Sequence, residues 1–400
     1  MKLALPLLLL CLLVSGCVST SVNSTSVPGI KTANQEVAEA LLLDVGVAVF
    51  DPGIEDFDPD EDEQVYPQVR RAEALFMAGQ LSSALQESGA WGAVRVVPDA
   101  DHITDLTIQG KILHSDGEQL KLHITAVDSR GAIWLDEAYG DSTNQYAYKI
   151  KTRSAFDPFQ KVYNDIANDL LEVLETLAES DREDVRLVTE LRFARSFSPD
   201  AFDGYLQKNP AGKYLVMRLP AENDPMLARV RKIRERDHMY VDTLQEYYGN
   251  FDVAMQVPYD EWRKLSYEET VALRELRAES TQEMITGALA VIAGIVAASN
   301  GDRPETRAAG SLGIYGGGML FKSGFQKRQI AYIHVAELEE LGMTLESEIT
   351  PRVIELEDRT VTLSGNVEEQ YSQWRDLLAE IYRAEIGDLQ PLPATDSDPS

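Results

Sequence analysis

The sequence predicts an α+β protein: an N-terminal β-α-β-β-β-β-α domain, then a mainly helical domain with a Gly/Ala-rich apolar hairpin, then a small β-β-α unit. Three observations carry this. Short runs between Leu43 and Leu135 alternate apolar and polar side chains, the period of a half-buried strand. Two longer stretches, starting at Phe159 and at Val367, repeat apolar residues every three or four positions, the period of a helix face. Between them a charged helical stretch runs into an uncharged segment, Met284 to Ala298. With 400 residues, 44% of them hydrophobic and 26% charged, the chain has a globular composition and the length of two to three domains. Its net charge of −29 repels phosphate backbones, which excludes nucleic-acid binding across a broad surface.

Leu43, Val45, Val47 and Val49 alternate along the first strand, which closes at Phe50-Asp51-Pro52-Gly53. A helix follows with Val65, Val69, Ala72, Phe76 and Leu85 near one face, and Trp91 to Val97 reads as the second strand. Leu106, Ile108, Gly110 and Ile112 share a face on the third strand, as do Leu120, Leu122, Ile124 and Ala126 on the fourth. A two-residue turn would set Ile112 against Lys121. A three-residue loop, Ser115-Asp116-Gly117, pairs 112 with 120, aligns both apolar sets and gives Gly117 the left-handed position. A turn at Asp128-Ser129-Arg130-Gly131 leads to a strand through Ile133-Trp134-Leu135. Asp157-Pro158 is expected to cap the closing helix, whose stripe is Phe159, Val162, Tyr163, Ile166, Leu170, Leu174 and Leu177.

Beyond Asp184, Pro225 opens a helix through Leu227, Val230, Val241, Leu244 and Tyr248. Ser266-Tyr267-Glu268-Glu269 has capping-box spacing and is expected to start a second long helix through Val271, Leu276 and Met284. The uncharged segment Met284–Ala298 and the Gly/Ala-rich segment Ala308–Phe321 form the apolar hairpin, 284–321. Gly287 and Gly294 lie seven apart, on one side of a helix, while Gly313 and Gly317 belong to the glycine-crowded second arm. The pair reads as a buried core hairpin or as a self-association surface on which glycine faces of several copies pack. Membrane insertion is the third reading, against which stand the short arms and the charged stretch between them. A helix from Gly324 to Leu341 is expected to stop at Gly342. Val353–Glu355 and Thr360–Leu363 form a hairpin. Asn366 caps a last helix carrying Val367, Tyr371, Trp374, Leu378 and Ile381, and the Pro-, Asp- and Ser-rich tail from 389 is expected to be disordered.

The N-terminus reads as an address. One lysine, Lys2, precedes an apolar stretch from Leu3 to Val14 that is too short for a membrane span of about 20 residues. Val14-Ser15-Gly16-Cys17 resembles the lipobox of bacterial lipoproteins. That resemblance implies cleavage before Cys17, acyl chains such as palmitate on it, and a mature chain anchored by lipid. Val18, in place of an aspartate, implies the periplasmic face of the outer membrane. Cys11 is the only other cysteine and falls in the leader, so the mature chain forms no internal disulfide. The organisation expected is leader 1–16, lipidated tether 17–35, α/β domain 36–183, helical domain 184–343, β-β-α unit 344–388 and tail 389–400. The strand Val45–Phe50, Gly110 within Leu106–Ile112 and the Asp128–Gly131 turn give the first domain a further likeness. It resembles the periplasmic α/β domain of curli-secretion-type lipoproteins and the N-terminal domain of the Tol-system β-propeller protein. The amphipathic hairpins that build the secretion family's barrel are not found in this sequence.

Chemistry-bearing motifs are sparse. Five histidines occur, His102, His114, His123, His238 and His334, without a metal-protease, nucleophile-elbow, phosphate-loop or Cys-His pattern. In the register above His114 faces Glu118 and His123 faces Gln109, about four rungs apart on opposite faces, so they share no metal. No catalytic residue, cofactor or resident metal is expected. Asp56, Asp58, Asp60 and Asp62 alternate like the start of a calcium loop, but Pro67 stands where the closing glutamate belongs. The run reads as a solvated loop, with a weak divalent-cation site as the sharper reading. Arg229, Arg231, Lys232, Arg234 and Arg236 form the opposite anomaly. They are expected to pair with acids of this chain or a neighbouring copy, or else to contact an anionic lipid or polymer. Together these features predict a non-enzymatic scaffold or assembly factor that acts through envelope proteins and forms homo-oligomers. A secretion-apparatus subunit, a regulator of peptidoglycan synthesis and an envelope hydrolase, which would need clustered carboxylates in a cleft, are the alternatives.

Overall fold

The structure is a computed structural model describing residues 29–33, 38–55, 66–148, 157–298, 340, 352–355 and 360–387. The first region runs β1 (Val45–Ala48), α1 (Pro67–Glu87), β2 (Val94–Val97), β3 (Leu106–Ser115), β4 (Gln119–Asp128), β5 (Ile133–Ser142) and α2 (Gln160–Thr176). This is the β-α-β-β-β-β-α order that the alternation predicts. The five strands form one sheet in the order β2-β1-β3-β4-β5. β1 lies parallel to both neighbours, while β3, β4 and β5 form an antiparallel meander. All four residues of β1 are buried, as suits a central strand covered on both faces. α1 is buried around most of its circumference, with the sheet on one side and α2 and a later helix, α5 (Pro225–Ala298), on the other. A helix so placed has no polar face to spare.

The β3–β4 hairpin differs from the sequence reading. Ile112 pairs with Leu122, not Leu120, and the three-residue loop is Asp116-Gly117-Glu118. Asp116 is the cause: its Oδ1 accepts the N–H groups of Glu118 and Gln119 at 2.9 and 2.8 Å, which fixes the reversal one residue later. A two-residue displacement leaves each side chain on its expected face, so the apolar sets still align. A bulge at Leu113 then sets His114 opposite Lys121 and Ser115 opposite Leu120. β2 begins at Val94 rather than Trp91, whose ring packs 6.2 Å from that of Trp134. β5 extends well past Leu135, to Ser142.

The rest is helical apart from two small hairpins. α3 (Glu179–Phe197) and the one-turn α4 (Pro199–Phe202) lead to β6 (Leu206–Lys208) and β7 (Tyr214–Val216). Two findings correct the expected helix starts. α2 begins at Gln160, and the Asp157 carboxylate instead closes the preceding turn by accepting the Phe159 N–H at 2.8 Å. Ser266 starts no helix: α5 passes unbroken through it for 74 residues, and its hydroxyl donates to the Asp116 carbonyl at 2.6 Å. Pro225 opens α5 as expected, and the preceding Asp224 caps it, its Oδ1 accepting the Met226 N–H at 2.8 Å. Pro258 interrupts its hydrogen-bond ladder without ending it. At the C-terminal end β8 (Arg352–Glu355) pairs with β9 (Thr360–Leu363), and α6 (Val367–Gly387) opens on a reciprocal cap between Asn366 and Glu369. The expected helix 324–341, apart from the helical Glu340, and the arm 308–321 lie outside the described residues.

α5 joins these parts into one apolar core. Its Val230, Ile233, Val241, Leu244, Tyr248, Phe251, Met255, Tyr259 and Trp262 are buried at spacings of three and four or their sums. Gln245 reaches the outer edge of β2, accepting from the Val96 N–H and donating to the Val96 carbonyl, both at 2.9 Å. Gln86 of α1 donates to the Val94 carbonyl of the same edge at 3.1 Å.

Gly117 makes this joint testable. Its φ is +78°, and a Cβ there would stand 2.2 Å from the Arg263 carbonyl on α5. Gly117→Ala is expected to lower unfolding free energy by at least about 2 kcal/mol. At Gly89 φ is also positive, but nothing lies within 4 Å. Gly89→Ala should cost only about 1 kcal/mol in the same denaturant titration.

Candidate functional site

Several of the polar groups buried in this structure lie where α5 meets the rest of the chain. On α1, Glu73 is wholly buried; its Oε1 accepts from Ser115 on β3 and from Tyr259 on α5, each at 2.7 Å. Burial pushes the Glu73 carboxyl above its ordinary range, against the pull of Arg70, whose Nε stands 3.7 Å away. One turn beyond Tyr259, the buried Arg263 guanidinium donates to Asp157 at 2.8 Å and to Asp260 at 2.7 Å. It also lies 4.2 Å from the centre of the Tyr259 ring.

A second cluster ties β-sheet, α5 and α6 together. His102, after β2, lies 2.6 Å by its Nδ1 from the Tyr371 hydroxyl on α6. Burial holds the imidazole neutral, its pKa down to about 3. Beside it on α5, burial raises Asp237 to about 6 although Arg375 Nη1 approaches its Oδ2 to 3.6 Å. Tyr240 stacks on Trp374 at 5.0 Å, and His238 is lowered by burial to about 4. Their arrangement holds three segments in register.

Asp252 is the outlier. It projects from α5 onto Gly79 of α1, where a Cβ would collide with its carboxylate at 2.5 Å. Its Oδ1 is buried without a hydrogen-bond partner, and burial alone raises it to about 7. Near these joints a cleft of about 390 Å³ opens at the carboxyl ends of β1 and β2, lined by Val49, Phe50, Pro98, Tyr248, Arg71 and Glu368 among others. It contains no nucleophile beside a base.

The structure disperses the residues singled out in the sequence. Cys17, Asp56, Asp58, Asp60, Asp62, Gly313, Gly317 and His334 lie outside the described residues. Gly287 and Gly294 fall within the helical backbone of α5. In the basic run, Arg231 donates twice to Glu190 of α3, at 2.5 and 3.1 Å, and Arg236 donates to Glu385 of α6 at 3.2 Å. Arg234 stands near Asp105 and Asp237, while Lys232 is exposed. His114 and His123 pair with separate carboxylates, Asp116 at 3.0 Å and Asp136 at 2.8 Å; the corrected register sets His123 opposite Lys111, not Gln109. Among the described residues no group of three or more His, Cys, Asp or Glu is placed to hold a metal ion. No described helix is long and apolar enough to cross a membrane. The sequence reading missed Glu73, Arg263 and Asp252. Asp237 carried a signal, since it occupies a stripe position between Ile233 and Val241.

No protein-family model and no curated protein matches the chain. Among solved structures, a Xanthomonas campestris protein of the DUF330 family aligns with 39% of this chain and 96% of its own, at 14% identity and a TM-score of 0.26. A likeness of that size carries no argument about fold or function.

Two substitutions probe the joint. Arg263→Ala leaves Asp157 and Asp260 facing each other in the interior, and is expected to cost about 3–5 kcal/mol by chemical denaturation. Asp252→Asn tests the orphaned carboxylate. Because the folded-state pKa is raised, the native chain holds the proton more tightly than the unfolded chain. Wild-type stability from this group is therefore present at low pH and lost as pH rises from about 4 to about 7. The stability of Asp252→Asn relative to wild type should rise over that window, by at most about 4 kcal/mol. A flat difference between pH 4 and 8 would contradict the assignment.

Proposed function

We propose that this chain is a lipid-anchored protein of the cell envelope, held on the periplasmic face of the outer membrane. There it acts as a non-enzymatic scaffold or assembly factor through contacts with other envelope proteins and with copies of itself. The observation that carries the reading is Val14-Ser15-Gly16-Cys17 behind a short apolar leader. The body supports it in a second way. Arg263 with Asp157 and Glu73 with Tyr259 are buried polar pairs that join segments distant in the chain. α5 continues for 24 residues past Arg274, which pairs with the sheet domain through Glu118, and this is about 36 Å of helix. Gly287 and Gly294 lie on that extension and would allow close approach of a second helix.

The element order of the first domain favours one second reading, a subunit of a secretion apparatus. Particle shape separates the two: rings in detergent support the secretion subunit, and a monodisperse small oligomer supports the scaffold. Cells grown with radiolabelled palmitate should label the wild-type chain and leave Cys17→Ala unlabelled and absent from the outer-membrane fraction. An unlabelled wild-type chain, or its recovery from the medium, would defeat the anchor. Deleting 284–321 should lower the mass measured by light scattering while the rest stays folded.

A further inference from the structure

We propose that the β6–β7 hairpin is a second, non-covalent membrane contact: its outer face rests on the anionic phospholipid surface to which the lipid at Cys17 ties the chain. This rests on the lipid-anchor reading and deepens it, since a flexible tether fixes where a protein is but not which side faces the bilayer.

Alternation along the hairpin sorts its side chains. Tyr214 and Val216 turn inward and pack on the core, while Leu215, Met217 and Leu219 remain 49%, 57% and 70% exposed. Three large exposed apolar side chains within five residues, on β7 and just past its end, are an unusual use of surface. The charge around them is equally out of character. Residues 204–219 carry three cations, Lys208, Lys213 and Arg218, and no acid, in a chain of net charge −29. Lys208 pairs with Tyr214 across the hairpin and lies 4.8 Å from the centre of that inward ring, Arg218 lies 4.0 Å from the centre of the buried Tyr205 ring, and Lys208, Lys213 and Arg218 are all exposed. Apolar residues flanked by cations suit the boundary between headgroups and acyl chains.

The hairpin is also built to keep its shape. Asn209 Oδ1 accepts the N–H groups of Ala211 and Lys213 at 2.9 and 3.0 Å, and Gly212 takes the left-handed conformation at φ +79°. The Tyr214 N–H donates to the Arg130 carbonyl at 2.7 Å, fastening the hairpin to the sheet domain. The tether reaches far enough. Gly29 and Lys31 are held by Asn168 on α2 at 3.3 and 2.8 Å, and the twelve residues from Cys17 to Gly29 span up to about 40 Å. Asn168 is eight residues, about 12 Å, from the end of α2. Just beyond, Arg130 donates to Asp181 of α3 at 3.1 Å and holds the hairpin by its carbonyl.

The test uses the full acylated chain. Once Cys17 is acylated, Met217→Cys supplies a single reactive thiol for an environment-sensitive dye; Val253→Cys, exposed on α5, is the control. After reconstitution into phosphatidylethanolamine–phosphatidylglycerol vesicles, the Met217→Cys dye is expected to shift blue and to be quenched by iodide about threefold less than in detergent, with the control unchanged. Lys208→Glu with Lys213→Glu should abolish the protection. A chain that floats with vesicles while both dyes quench alike overturns the hairpin contact and leaves the anchor standing. Protection that persists in detergent overturns it in favour of a second copy on the hairpin. A chain without an acyl group removes the anchor reading, and this proposal with it.

Discussion

A guanidinium sealed from water must be neutralised by groups already in place, and Arg263 is so sealed. Asp157 comes from the turn before α2, Asp260 from its own helix, and the Tyr259 ring covers one face. Of these only Asp157 is distant in sequence, so the ion pair is complete only when α5 has docked against the turn before α2. Its net contribution to stability is small, because burying three charges costs nearly what their attraction returns. Its effect is on uniqueness: with any one segment misplaced, a bare charge is left in the interior. Glu73, shared between Ser115 and Tyr259, extends the same condition to α1 and β3.

The turn Asp128-Ser129-Arg130-Gly131 plays the corresponding part at the other end of the sheet. Asp128 accepts from the backbone of Arg130 and Ala132 and from the side chains of Arg130 and Trp134. The outward atoms of the turn then serve its neighbours: Ser129 bonds to Val185 and Arg192 of α3, and the Arg130 carbonyl holds the β6–β7 hairpin. A motif legible as a simple reversal is thus the place where α3 and the hairpin attach.

What the sequence made legible is what depends on local period. The strand order, the closing helices and the β-β-α unit follow from alternation and from the three-four spacing, which local sterics enforce. What it hid depends on partners far along the chain. The loop of the β3–β4 hairpin moved because Asp116 and Gly117 answer to Arg263 and Ser266 on α5 as well as to their own turn. The capping-box pattern at Ser266 failed for the same reason: a good cap residue stays helical when its hydroxyl finds another acceptor. Arg263, Asp252 and Glu73 read as surface charges in any window of the sequence. Only the packing of α5 against α1 makes them interior.

The amides of Gln245 and Gln86 against the margin of β2 have a consequence for how copies of this protein add to one another. A sheet grows into a fibre only if both of its sides accept a new strand, each copy offering one side and receiving on the other. Here one side is plugged by side chains that imitate a neighbouring backbone. Within the five-stranded sheet, strand-to-strand joining is left with the β5 margin, and two such margins, once paired, are used up. Cross-β association through this sheet therefore terminates at a symmetric pair.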